Sequence, residues 1–178
     1  MSYLIETQRI GFKQWDNSQA ELATQLWGGN AEVTKFIHKN GAFSPAEIKQ
    51  RLATEIKSME LHNVQYWPLF LKATNEFVGV CGLRMEGTTG SYELGYHLLP
   101  AFWGQGIGTE VARRVVNYAF EELNAVKLVA RHHPENQGSK KIILKLGFVF
   151  KGFQYYQPTG LQHPHYELTR TDYLGTLK

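Results

Sequence analysis

Pro100-Ala-Phe-Trp-Gly-Gln-Gly-Ile-Gly-Thr-Glu110 places three glycines, Gly104, Gly106 and Gly108, between a strand-like run and a long amphipathic pattern. Glycine lets the backbone take positive φ and come close to a ligand. A helix start behind it offers unpaired N–H groups and positive partial charge. Together these make a site for a phosphate-bearing ligand. Two familiar nucleotide loops do not fit. Gly108 is followed by Thr109, Glu110 and Val111, so the third glycine is misplaced for G-x-G-x-x-G, and no Lys-Ser or Lys-Thr pair stands at P-loop spacing. A tight strand-to-helix turn, with glycine serving geometry alone, is the competing reading.

The pattern around this loop predicts the elements. Behind it, residues 106–123 carry Ile107, Val111, Ala112, Val115, Val116, Ala119, Phe120 and Leu123 on one helical stripe. Ahead of it, residues 65–73, 77–86 and 90–99 read as an antiparallel meander turned at Asn75-Glu76 and at 86–90. Pro68 marks the first of these strands as irregular or at an edge. A strand at 126–132 follows the long helix, and the crossover makes it parallel to 90–99. Ser44, Pro45 and Glu47 open a helix running to about residue 61, as N-cap, first position and capping-box acid. Residues 4–15 read as one strand, 18–27 and 31–38 as short helices, 137–146 as a helix, and 148–157 and 163–170 as late strands. The expected class is α/β (α+β): one domain over 1–178, a mixed sheet of about seven strands, and helices on both faces.

Composition sets bounds. The chain has 178 residues, 43% apolar and 20% charged, with a net charge of +3 and dispersed basic residues. Nucleic-acid binding normally shows a clustered basic face, so it is not expected. Cys81 stands alone, which excludes an internal disulfide and a cysteine-based metal site. No secretory pattern and no apolar run near the roughly 18 residues of a spanning helix is visible, so a cytoplasmic protein without membrane attachment is expected.

A second motif narrows the ligand. His133-Pro-Glu-Asn-Gln-Gly-Ser139 precedes a short helix that closes with Leu146-Gly147-Phe148, where Gly147 suits the helix C′ position. Taken singly, Asn136 and Ser139 are ordinary N-cap residues. Taken with the glycine loop upstream, the chain resembles the GNAT superfamily of acetyl-CoA-dependent N-acetyltransferases, and within it the ribosomal-protein-alanine (RimJ/RimL-like) branch. Glu6–Trp15, Gly29–Ile37, Tyr92–Pro100 and Phe102–Glu110 carry that likeness in order and spacing.

The resemblance implies roles. Backbone amides of Gln105, Gly106, Ile107, Gly108 and Thr109, with Trp103 and Gly104 leading into them, would hold the coenzyme A pyrophosphate. Backbone groups of Leu98 and Leu99 would pair with the pantetheine arm where the central strand splays from its neighbour. Asn136 would hydrogen-bond that arm, and Ser139 would lie near the sulfur. Two departures stand out. Trp103 occupies the position where the superfamily usually has Arg or Gln. The tyrosine acid frequent seven residues after the Asn is Ile143 here, which makes Ser139 the candidate acid.

Acetyl transfer needs a neutral amine, although lysine titrates near 10 and an α-amino group near 8. A base supplies that. Aimed N–H donors must meet the charge gathering on the carbonyl oxygen; a backbone N–H at 98–99 is the expected donor. Glu93 is the leading base, since on a strand it shares a face with Gly95 and His97; a cross-strand ion pair is its alternative. His97 is a second base by its ordinary pKa. Lys140, Lys141 and Lys145 would meet the 3′-phosphate or form a solvated face. Cys81 reads as core. The pairs His132-His133 and His163/His165 lack nearby carboxylates, so no metal is expected. Trp15, Trp27, Phe36, Phe43, Tyr66 and Trp67 divide between core and acceptor cleft, over which segments 28–43 and 153–165 would close. The partner is an amine, either a protein N-terminus or a small molecule. A homodimer is expected from the frequency of twofold assemblies. A non-catalytic acyl-CoA sensor and a nucleotide-binding module are the alternatives.

Overall fold

The computed structural model describes residues 2–178. The strands are β1 (Ile5–Glu6), β2 (Ile10–Phe12), β3 (Tyr66–Leu71), β4 (Phe77–Met85), β5 (Ser91–Leu98), β6 (Lys127–Arg131), β7 (Val149–Tyr156) and β8 (Leu161–Thr169). The helices are α1 (Ala20–Trp27), α2 (Ala31–Thr34), α3 (Pro45–His62), α4 (Ile107–Glu121), α5 (Gln137–Lys145) and α6 (Arg170–Thr176). One mixed sheet has the order β1-β2-β3-β4-β5-β6-β8-β7, and β5–β6 is its parallel pair. The count is eight strands rather than about seven. The expected strand at 4–15 is a hairpin, turned where the Thr7 N–H donates to Ile10 O at 2.8 Å.

Local signals explain most elements. Ser44 and Glu47 cap α3 reciprocally, and Asn63 ends it in the left-handed region at φ 57°. The α4 stripe is buried as its spacing requires, from Ile107 to Phe120. Pro68 proves interior to the sheet, beside a register shift at Leu69/Phe70. Its carbonyl accepts from the Lys13 N–H, so its missing N–H faces a β2 ladder that covers only Leu69–Leu71. Helix α2 stops at Thr34, short of the expected residue 38. Helix α6 is absent from the sequence reading; Thr169 and Asp172 form its capping box.

Helices cover both faces. On one, Trp27 of α1 reaches His97 and Glu55 of α3 reaches Tyr66. On the other, Tyr118 of α4 packs edge-on against Trp67 at 5.6 Å, and Ser139 of α5 meets Tyr96. Among the described residues, no helix is long and apolar enough to cross a membrane.

Candidate active site

The sheet opens at its parallel pair. The β5–β6 ladder covers only Ser91–Glu93 against Lys127–Val129. Beyond it β5 runs on to Leu98, while β6 continues beside β8. A cavity of about 620 Å³ passes through this gap. Gly104, Gly106 and Gly108 line one end, and Tyr66, Glu93 and Arg131 line the other. The Leu99 N–H bonds Val78 O at 2.9 Å. Antiparallel alternation therefore turns the peptide groups of Tyr96 and Leu98 away from β4, toward the gap.

At the glycine end, Gly106 is the N-cap of α4 at φ 76°, and Gly104 precedes it at φ 71°. Among the described residues, no acceptor meets the N–H groups of Gln105 to Thr109. These donors and the helix's positive end suit an anion. Gln105 and Ile107 contribute backbone only; the Ile107 side chain is core at 2% exposure, and neither residue lines the cavity. Trp103 turns its indole N–H onto Leu98 O at 2.8 Å. Leu99 departs from expectation. Its N–H serves β4 and its carbonyl accepts from Phe102 N–H at 3.0 Å, so only the Leu98 N–H is left of that pair. Lys140 is exposed and lines a second cleft beside Phe150 and Phe153, which shares His132 and Gln137 with the main cavity. Arg9, which sequence reasoning missed, braces the loop. Its guanidinium donates to Gln105 O at 3.1 Å and pairs with Glu110 at 2.6 Å.

On α5, Asn136 is the N-cap and accepts from Ser139 N–H at 3.1 Å. Ile143 is core at 1% exposure. The hydroxyl next to Ser139 comes instead from β5: Tyr96 Oη lies 3.0 Å from Ser139 Oγ. Burial pushes the Tyr96 pKa up, so it keeps its proton at neutral pH.

The far end is charged. Glu93 is clamped by Arg131, which also holds Glu86 at 2.5 Å, and the Tyr66 hydroxyl donates to Glu93 at 3.4 Å. The ion-pair alternative is therefore present, and it does not exclude a base. Burial raises the Glu93 pKa above the usual carboxylate range, against the pull of Arg131. Gly95 makes room here, because a Cβ on it would stand 2.1 Å from Tyr66 Oη. His97 accepts from the Trp27 indole at 3.3 Å. Burial, then Arg51 and Arg84, hold its pKa well below the ordinary imidazole value. Cys81 is buried and its thiol pKa is pushed up, which suits core and not a nucleophile.

Both expected closing segments reach the cavity. Glu32, Val33, Phe36 and Ile37 line it from one side, Tyr156 and His163 from the other. They also join, since the Lys39 N–H donates to Pro158 O at 3.0 Å. Of the six aromatics, Trp15, Trp27 and Trp67 are core, whereas Phe36 and Tyr66 line the cavity.

Comparison with known proteins fits this architecture. A family model described as an acetyltransferase (GNAT) domain matches residues 9–149. The uncharacterized N-acetyltransferase p20 of Bacillus licheniformis is 28% identical over 150 residues, covering 83% of each chain. A ribosomal-protein-S5-alanine acetyltransferase of Vibrio fischeri superimposes with a TM-score of 0.75 at 21% identity, over 94% of this chain and 97% of that one. RimL, a ribosomal L7/L12 α-N-protein acetyltransferase solved with coenzyme A, gives 0.77 at 18% identity, over 92% and 95%. The last two share the fold, in the branch the sequence resembles. With a family model spanning most of its length and an opened sheet behind a glycine-capped helix, the chain belongs to the GNAT family and is an N-acetyltransferase.

Proposed function

We propose that the protein transfers acetyl from acetyl-CoA to a primary amine by direct attack, with the donor at the glycine end of the cavity and the amine at the Glu93 end. The observation that carries this is the row of unbonded N–H groups from Gln105 to Thr109, on a loop whose Gly106, Gly108 and Thr109 line the same cavity as Glu93. Acetyl-CoA supplies an activated thioester carbonyl and a thiolate leaving group. The amide row receives its pyrophosphate, Asn136 its pantetheine arm, and the Leu98 N–H its carbonyl oxygen. Glu93 takes one proton from the bound ammonium, and the neutral amine then attacks the thioester carbonyl. The N–C bond forms, the C–S bond breaks, and the second proton that the adduct nitrogen sheds goes to the departing sulfur, relayed through Ser139, which is hydrogen-bonded to Tyr96 and regains the proton it gives.

His97 is the weaker base, because its depressed pKa and its bond to Trp27 leave little drive to accept a proton. The acceptor is a protein N-terminus or a small-molecule amine.

A ligand that binds the native state raises its melting temperature. Acetyl-CoA is expected to do so where ATP and NAD do not. Gly106→Val should abolish the effect, because a β-branched residue at φ 76° distorts the amide row. Wild-type acetyl-CoA affinity in that variant would sink the loop assignment. Release of free thiol across an amine panel separates the enzyme from a non-catalytic sensor.

A further inference from the structure

Arg51 lines the acceptor end of the cavity without a counter-ion. On a helix its natural partners are the carboxylates four residues away. Both are engaged elsewhere. Glu47 pairs with His38 at 3.1 Å and caps α3 through the Ser44 N–H at 2.7 Å. Glu55, 1% exposed, gives one oxygen to Arg84 and the other to the Tyr66 N–H at 2.8 Å. Among the described residues, Arg51 has no ion pair, and its Nε is buried without any hydrogen-bond partner. An unpaired cation with an orphan donor is costly to hold in an enclosed site.

The guanidinium is nevertheless fixed. It lies over Trp27 at 4.6 Å and near Phe43 at 5.3 Å. Stacking of this kind fixes the plane of a guanidinium and leaves its donor edge for a planar acceptor. The other charges near it are accounted for: Arg84 is held by Glu55, Arg131 by Glu86 and Glu93, and Glu32 on the exposed rim by Lys35. Tyr66, Tyr156 and His97 complete the wall. The acceptor end thus offers one free guanidinium and, across the wall, a carboxylate proposed as base.

We infer that the acceptor is a small amine that itself carries a carboxylate, of the amino-acid class, with its carboxylate on Arg51 and its amine toward Glu93. This rests on the acetyltransferase reading above and narrows it. Arginine receives a carboxylate through two parallel charge-assisted hydrogen bonds, and the terminal Nη groups of Arg51, which lines the cavity and has no ion pair among the described residues, are the donors such a fork requires. The amide of the same amino acid keeps the amine but presents a weaker, neutral acceptor to Arg51.

The test measures free-thiol release from acetyl-CoA with the common amino acids and their amides as acceptors. It compares the wild type with Arg51→Gln and Arg51→Lys. At least one amino acid is expected to exceed its amide by about ten- to a hundredfold in kcat/KM, the range of a charge-assisted bond lost. In Arg51→Gln that ratio should fall toward one, mainly through KM, and Arg51→Lys should restore part of it. The rise in melting temperature with acetyl-CoA, measured in each variant, reports that the fold and the donor site are intact. Amides equal to acids in the wild type, no turnover of any amino acid, or a ratio that persists in Arg51→Gln would each overturn the inference. Failure of acetyl-CoA to raise the wild-type melting temperature would instead remove the underlying acetyltransferase reading.

Discussion

Glu93 sits between two opposed influences, and their balance sets the pH at which it works. Burial raises its pKa and Arg131 lowers it. Its proposed role requires the carboxylate, so activity falls as pH drops through that raised pKa. Arg131→Met removes the lowering influence. The acid limb of the kcat/KM profile should then move to higher pH, while the limb set by the amine's own deprotonation stays with the substrate. Glu93→Gln should lose the enzyme's acid limb and about 10²-fold or more in rate, the usual worth of general base catalysis. Identical acid limbs in the wild type and Arg131→Met would remove Glu93 as base. Glu93 is a candidate from strand alternation taken with the family resemblance, because period two puts it on one face with Gly95 and His97, next to the acyl site that the resemblance implies. Arg131 was not legible, because it reaches Glu93 only through the β5–β6 register. Tyr96 and Ser139 are likewise 43 residues apart and meet only across the opened sheet. In the other direction, Arg51 and Glu55 look in sequence like a helical i,i+4 pair, and the fold gives Glu55 to Arg84 instead.

At the scale of elements, what could be read was what is determined locally. Ser44, Pro45 and Glu47 announce α3 because a capping box is complete within four residues. The α4 stripe and the glycines before it are equally local. The hairpin at Thr7–Ile10 escaped because its turn contains neither Gly nor Pro; Thr7 closes it, its hydroxyl accepting from the Ile10 N–H at 2.9 Å. Helix α6 escaped because its cap, Thr169, is also the last residue of β8. That same hairpin has a functional consequence, since it presents Arg9 to the glycine loop. Arg9 is half-exposed, and its contacts with Glu110 and Gln105 O tie β1–β2 to the start of α4. Arg9→Ala should therefore loosen the loop more than the fold. Kd for acetyl-CoA is expected to rise roughly three- to tenfold, on the order of 1 kcal/mol for an exposed pair backed by a carbonyl contact. Calorimetric titration checks this, and an unchanged Kd would confine Arg9 to the surface.

At the scale of the molecule, the two ends of the cavity belong to different parts of the chain. The β5–α4–β6 crossover and the start of α5 build the glycine end, whereas α2, α3 and the β7–β8 hairpin enclose the Glu93 end. What fastens α3 to the sheet is a buried polar network. Glu55 receives Arg84 and the Tyr66 N–H, its carbonyl accepts from Gln65 Nε2 at 2.9 Å, and Gln65 Oε1 accepts from the Trp15 N–H at 2.9 Å. Hydrophobic packing alone would tolerate a small slide of α3; these directional bonds fix where Arg51, Tyr66 and Arg84 stand. Glu55→Gln keeps the shape but removes the charge that compensates Arg84. Breaking a buried pair from one side destabilises by about 3–5 kcal/mol, and the partial exposure of Arg84 to the cavity favours the lower end. At roughly 2–4 °C per kcal/mol for a chain of this size, the melting temperature should fall by roughly 6–12 °C. If the network positions the acceptor end specifically, the rise in melting temperature with acetyl-CoA should persist in Glu55→Gln while KM for the amine increases. A melting temperature within a degree or so of wild type would show that packing, not this network, holds α3 in place.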